Sequence, residues 1–208
     1  MTGDLFITGT DTGVGKTLLS ALLVAELNRR YWKPVQTGAS EGTDRAAVMN
    51  WADVPLESTH PEAFLFDPPL SPHLAAEQQG MRIDLETIRR PVDPNPIVIE
   101  GAGGVLVPIN DQALMIDLIR LLQAPVIVAA RTALGTINHT LLTVAAIRDA
   151  GLILTGVVMV GKENSDNRRA VERYGNVPVI GTIPWLDSIN RANLCRVFEQ
   201  YFDKTSFV

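Results

Sequence analysis

Cysteine is almost missing from this chain: Cys195 is the only one in 208 residues. A single thiol closes no intrachain disulfide and supplies no cysteine-based zinc or iron–sulfur site within one chain. Positive charge is also short, with 18 Lys and Arg against 23 Asp and Glu, for a net charge of −5. A generic nucleic-acid binder carries a basic excess and interleaves it with aromatics, and neither pattern is present. Long apolar runs are missing too. Residues 125–130 form one of the longest, far below the ~20 residues that cross a bilayer. The first residues show no basic segment followed by a long apolar run, so no secretory signal is expected. These absences predict a reduced, cytoplasmic setting with neither nucleic acid nor membrane as partner. They leave room for an anionic small ligand, because a few local donors can outweigh a global charge.

What remains is an ordinary globular mixture, 46% apolar and 20% charged, at a length that suits one domain. Short runs at residues 5–8, 33–36, 97–100, 125–130, 156–160 and 178–181 are rich in Val and Ile and lack polar alternation. Strands covered on both faces look like this. Between them Leu18, Leu19, Leu22, Leu23 and Leu27 mark one helical stripe, and Ile116, Ile119 and Leu122 another. Residues 138–150 and 189–202 also have helical spacing. The alternation predicts an α/β fold, a single-domain mainly parallel twisted sheet flanked by helices. Prolines at 55, 61, 68, 69, 72, 91, 94 and 96 break residues 41–96 into pieces too short for long helices. That segment is expected to be an elaborated crossover at the carboxyl edge of the sheet, where ligands bind in open α/β folds.

The first strand runs into Gly9-Thr10-Asp11-Thr12-Gly13-Val14-Gly15-Lys16-Thr17, and an apolar helix follows at once. This resembles a P-loop, in which backbone N–H groups and a helix N-terminus cradle phosphates. Gly13, Val14, Gly15, Lys16, Thr17 and Leu18 would then hold a nucleoside triphosphate. Lys16 would reach its β- and γ-phosphates, and the Thr17 hydroxyl would bind Mg²⁺. The spacing is imperfect, since Thr10 stands where the standard loop has its first glycine. A carboxylate at the end of another strand should complete the metal site. Pro96-Ile97-Val98-Ile99-Glu100-Gly101-Ala102-Gly103-Gly104 supplies one, because Glu100 after three apolar residues is costly unless a cation or hydrogen bonds satisfy it. The glycines behind it allow close backbone approach to a ligand. Asp44 is a second candidate, either a ligand or the N-cap of a helix beginning there.

Lys33, in Lys33-Pro34-Val35 at the head of a predicted strand, reads by spacing alone more readily as a solvated lysine than as a functional one. The ordered set is more specific: the phosphate loop, Lys33-Pro34-Val35, Glu100-Gly101-Ala102-Gly103-Gly104, Gly135-Thr136-Ile137-Asn138-His139 and Ile183-Pro184-Trp185-Leu186. With these motifs the chain resembles the dethiobiotin synthetases, over residues 5–186. The resemblance implies conversion of 7,8-diaminononanoate, CO₂ or bicarbonate and ATP into dethiobiotin, ADP and phosphate. The route would be a carbamate and a carbamic-phosphoric anhydride. It also implies roles. Lys33 and Lys16 would be catalytic; Thr17, Asp44 and Glu100 would hold Mg²⁺. Gly101, Ala102, Gly103, Pro184, Trp185 and Leu186 would contact nucleotide, and Thr10 and Thr37 substrate. Asn138, by spacing a helix cap, would reach substrate across a homodimer interface. His60, His73 and His139 are expected to be ordinary hydrogen-bonding residues.

The chain departs from that family's pattern in places. Gly13 stands where many relatives carry glutamate, and the connection before Lys33 is very short. Val160 and Gly161 replace an asparagine that often reads adenine, with Asn164 displaced from that position. Relaxed selectivity among nucleoside triphosphates is the consequence expected. Two other classes share the loop. A cobyrinate-type synthase should need a longer chain with an ammonia-handling region. A partitioning-type nucleotide switch commonly carries an extra lysine where this chain reads Thr10-Asp11, and an iron-protein relative needs more cysteine.

Overall fold

The structure, a computed structural model, describes residues 3–207. Strand β1 (Leu5–Gly9) is buried along its whole length and leads through the glycine-rich turn into helix α1 (Lys16–Leu27). Asn28, in the left-handed conformation, ends α1, and the chain enters β2 (Arg30–Trp32) almost directly. The sheet strand therefore ends at Trp32, so Lys33 follows a strand and does not head one. Pro34 explains the shift: it has no N–H to give a ladder, and it restricts the residue before it. Only a two-residue strand, β3 (Val35–Gln36), forms beyond it.

The predicted crossover holds α2 (Asp44–Ala52), β4 (Thr59–His60), β5 (Phe64–Leu65) and α3 (Pro72–Gln78), all short. It has no core of its own. Its Phe66, Ala75, Ala76, Ile83 and Ile88 pack in one buried cluster with Phe6, Ile97 and Ile99 of the main sheet. Then follow β6 (Ile97–Gly104), α4 (Met115–Leu122), β7 (Val126–Arg131), α5 (Thr136–Asp149) and β8 (Leu154–Val160). The chain ends in α6 (Ser165–Gly175), β9 (Val179–Ile183) and α7 (Arg191–Tyr201).

Seven strands form one sheet in the order β4-β2-β6-β1-β7-β8-β9, and every adjacent pair is parallel. β3 pairs with β5 in a separate two-stranded ribbon. Because the chain turns one way after β1 and the other way after β6, the crevice at the carboxyl ends of β1 and β6 is where a ligand fits. Two apolar layers cover the sheet, one on each face. At the opposite end of the sheet Asp4, 1% exposed, receives Arg90 through Nε at 2.6 Å and Nη2 at 3.0 Å, and the Ile97 amide at 2.9 Å. This fastens the end of the crossover to the start of β1.

Three local expectations differ from the structure. Residues 135–139 are not a loop capped by Asn138: α5 begins at Thr136, Gly135 is the cap at φ 93°, and Asn138 lies in the first turn. Thr43, not Asp44, caps α2 by accepting from the Ala46 amide. Helix α6 has no counterpart among the expected elements, because it is mostly polar and buries only Val171 and Gly175. Among the described residues no helix is long and apolar enough to cross a membrane.

Candidate active site

The phosphate loop is shaped by backbone before any side chain acts. Gly15 caps α1 at φ 96°, a conformation other residues rarely adopt, and a Cβ there would stand 2.8 Å from Val160 Cγ1. Close packing of loop against β8 thus needs glycine. Val14 is buried beneath the loop and fixes it to the core from inside. The amides at the start of α1 have no side-chain cap, which leaves them for an anion. Lys16 Nζ donates to the Asp11 carbonyl at 3.0 Å. Burial lowers its pKa to about 8; Glu100 opposes that shift, and the Lys33 ammonium adds to it. Across the outer side of the loop, Arg131 pairs with Asp11 at 2.9 Å.

Three distant segments converge beside the loop. Lys33, 5% exposed, places Nζ 2.8 Å from Asp44 Oδ2 and 3.2 Å from Glu100 Oε1. Thr17 Oγ1 donates to Asp44 Oδ1 at 2.5 Å and stands 3.0 Å from Glu100 Oε1. Asp44 can do this because Thr43 takes the capping role. Burial works against the Lys33 ammonium, but Glu100 and Asp44 outweigh it and hold its pKa above the ordinary lysine value. Burial likewise favours the neutral Asp44 carboxyl, yet Lys33, with the Thr17 and Gln36 hydrogen bonds, holds that pKa below the usual range. The site therefore contains an ionised lysine and an ionised aspartate side by side.

These groups line a cavity of about 1060 Å³, room for a nucleotide and a small co-substrate. Gly13, Gly15, Lys16, Thr17, Leu18, Lys33, Thr37, Asp44, Glu100, Ala102 and Gly103 all border it. Gly101 lies just behind, with its carbonyl 3.5 Å from Lys33 Nζ. Thr10, Asn138, Pro184, Trp185 and Leu186 do not border the cavity; Asn138 faces solvent and Trp185 is 80% exposed. Sequence reasoning missed two residues. Gln36 accepts from the Asp44 amide at 3.0 Å and donates to the Thr37 carbonyl at 2.6 Å, so it seats both. Tyr31 donates to Glu100 Oε2 at 3.0 Å. Neither carries a motif; the available signal was a polar side chain beside buried neighbours, which must find a partner. Of the histidines, His60 meets Asp93 at 3.1 Å and His73 meets Ser71 at 3.1 Å.

A glycine-rich loop between the first strand and helix of a parallel sheet, with lysine, hydroxyl and carboxylates at its mouth, defines a P-loop protein that uses nucleoside triphosphates. The chloroplast FtsY structure of Physcomitrella patens shares the fold, with TM-score 0.54 at 13% identity over 100% of this chain and 64% of that one. Residues 3–193 match the family model described as an AAA domain. The ATP-dependent dethiobiotin synthetase BioD of Paramagnetospirillum magneticum is 48% identical over 91% of this chain and 92% of its own length. That of Rhodopseudomonas palustris is 43% identical over 100% of this chain and 98% of its own. The chain belongs to the dethiobiotin synthetase family, the ATP-dependent ligases of biotin biosynthesis.

Proposed function

We propose that this chain joins CO₂ to 7,8-diaminononanoate and closes the cyclic urea of dethiobiotin, with ATP activating the captured carbon. The observation that carries the proposal is the buried Lys33 ammonium, held by Asp44 and Glu100 on the wall of the cavity into which the phosphate loop opens. One substrate amine captures CO₂ and loses a proton, giving a carbamate. A carbamate oxygen attacks the γ-phosphorus; the bond to the β,γ-bridging oxygen breaks and ADP leaves. The second amine then attacks the carbonyl carbon, expels phosphate and gives up a proton. In the middle step two anions must meet. Lys16 on the phosphates and Lys33 on the carbamate and transferring group lower that repulsion, which is most of what an enzyme supplies in phosphoryl transfer. Thr37, at the cavity wall, would orient the substrate, with Thr10 at the head of the phosphate loop as a second hydroxyl for it.

Mg²⁺ fits the donor set. Asp44 Oδ1 and Glu100 Oε1 lie 2.5 Å and 3.0 Å from Thr17 Oγ1, and Glu100 is 1% exposed, where a carboxylate is kept only by pairing or by a cation. Among the described residues no group of three or more His, Cys, Asp or Glu side chains is arranged to hold a metal ion by itself. Two carboxylates and a hydroxyl suit a small cation that keeps its waters and binds phosphates. When bound, Mg²⁺ neutralises phosphate charge; Thr17, Asp44 and Glu100 would hold it.

A homodimer completes the site in this proposal. Asn138 lies outside the cavity of its own chain, on a face that also exposes Leu134 and Leu142. Apolar side chains exposed together suit a partner surface, and Asn138 of the partner subunit would reach the substrate. The nucleobase would lie toward Pro184, Trp185 and Leu186.

The test is phosphate release in the presence of diaminononanoate and bicarbonate, repeated with Lys33→Ala. Release should require the diamine and collapse in the variant. Release independent of the diamine would make the chain a nucleotide switch instead.

A further inference from the structure

Tyr31 is fully buried, yet it is a polar aromatic outside the groups assigned above to nucleotide, metal and substrate. Neighbouring side chains on β2 point to opposite faces of the sheet. Trp32 packs with Phe6 and Ile99, and Tyr31 packs with Ile7 and Val98. Tyr31 stands opposite Val98 in register, and Glu100 lies two residues further along β6 on that same face. The phenol spans this step, and its hydroxyl donates to Glu100 Oε2 at 3.0 Å. The two carboxylate oxygens are thereby separated in role. Oε2 faces the phenol inside the core, while Oε1 meets Thr17 at 3.0 Å and Lys33 at 3.2 Å. Packing alone would be served equally well by phenylalanine.

We propose that Tyr31 is a positioning residue whose hydroxyl pins Glu100 Oε2, so that Oε1 alone is presented to the cation beside Thr17. The proposal rests on the assignment of Glu100 to the Mg²⁺ site. A carboxylate held at one oxygen cannot rotate away from its ligand, which is how groups behind a metal site raise its affinity. Burial and the Glu100 charge hold the phenol pKa well above the ordinary tyrosine value, so the donor hydrogen stays in place.

The experiment is a titration with Mn²⁺, followed by electron paramagnetic resonance with ADP present. It compares the full chain with Tyr31→Phe, Glu100→Gln and the double variant. Tyr31→Phe should weaken Mn²⁺ binding about tenfold, the lower end of what losing such a partner costs. Its affinity for ADP in EDTA should not change, and it should add nothing in the Glu100→Gln background. Unchanged Mn²⁺ affinity in Tyr31→Phe, or an equal loss of metal-free ADP affinity, overturns the positioning role. Wild-type Mn²⁺ affinity in Glu100→Gln overturns it differently, by removing Glu100 from the metal site altogether. A second measurement needs no variant. In tyrosine-labelled protein the Tyr31 hydroxyl proton should resist exchange with water and shift on addition of Mg²⁺ and ADP; a resonance that does not move contradicts the proposal.

Discussion

Lys33 Nζ lies 2.8 Å from Asp44 Oδ2, and this ion pair joins the residue after β2 to the first turn of α2. The pair binds the crossover to the phosphate loop, because the same aspartate also accepts from Thr17. Lys33→Met removes the charge while keeping most of the stem. Coupled turnover should fall about a hundredfold or more, as when one preorganised donor is removed from a transition state. ADP affinity should stay within a few-fold, because Lys33 is not part of the loop. A variant turning over within threefold of wild type would exclude Lys33 from phosphoryl transfer.

Lys16 sets a pH dependence whose sign can be worked out. Its folded pKa of about 8 lies below the unfolded 10.5. Between those values the unfolded chain binds more protons, so the stability of the free protein should rise with pH through that window. Nucleotide binding should behave oppositely. Phosphates favour the ammonium, so above pH 8 binding takes up a proton and weakens with rising pH. Calorimetric titration of ADP at pH 9, in two buffers of different ionisation enthalpy, should reveal that uptake; equal heats would contradict it.

Base selectivity should be loose. Val160 offers no hydrogen bond to a base edge, and the groups around it are already engaged. The Val160 carbonyl accepts from the Thr132 amide, and the Gly161 amide donates to Ile183. The Asn164 side-chain oxygen caps α6 by accepting from the Asn167 amide at 2.9 Å. Stacking on an exposed ring such as Trp185 tolerates any base. ATP, GTP and CTP should therefore support turnover with kcat/KM values within about tenfold, since strong rejection needs a site built to hydrogen-bond one of them. A hundredfold preference for ATP would show that other groups read the base.

Parts of this site were legible in sequence because their information is local. Lys16 and Thr17 sit in a contiguous loop, and Glu100 follows an apolar run that only a buried strand explains. Asp44 stayed ambiguous because its role depends on Thr43 capping the helix and on α2 lying over the loop. The strand expected to begin at Lys33 is instead made of residues that precede it, with Tyr31 and Trp32 buried on different faces. Gln36 and Tyr31 act by holding other residues, and that leaves no spacing to recognise.

The buried pair of Asp4 and Arg90 should matter for stability and not for chemistry, since it lies at the end of the sheet away from the cavity. Arg90→Met takes a bidentate partner from an aspartate that is 1% exposed. The cost should be about 2–3 kcal/mol, the low side of breaking a buried pair because Arg90 is partly exposed, or roughly 4–12 °C in Tm. Arg90→Lys should fall between. Calorimetry would check both, and kcat at low temperature should be unchanged.

Loss of the dimer should also cost substrate affinity. Leu134 and Leu142 are exposed on either side of the first turn of α5, where Asn138 also faces solvent. If this face covers itself with a second copy, Leu142→Asp places an unpaired carboxylate in the contact and should convert dimer to monomer by light scattering. Asn138→Ala should leave the dimer intact and raise KM for the diamine roughly tenfold, the loss of about one hydrogen bond to a charged group. Neither variant should change ADP affinity, because the phosphate loop is built within one chain. Mixing Asn138→Ala with Lys33→Ala, with subunits exchanged and the diamine held well below KM, then becomes decisive. A dimer of one Asn138→Ala chain and one Lys33→Ala chain retains an intact site only if Asn138 serves the partner's cavity. In that arrangement both defects fall on one composite site, and the other keeps both residues. Recovered activity approaching half of wild type per dimer would place Asn138 across the interface. No recovery in a mixture shown to be paired would place it on its own chain.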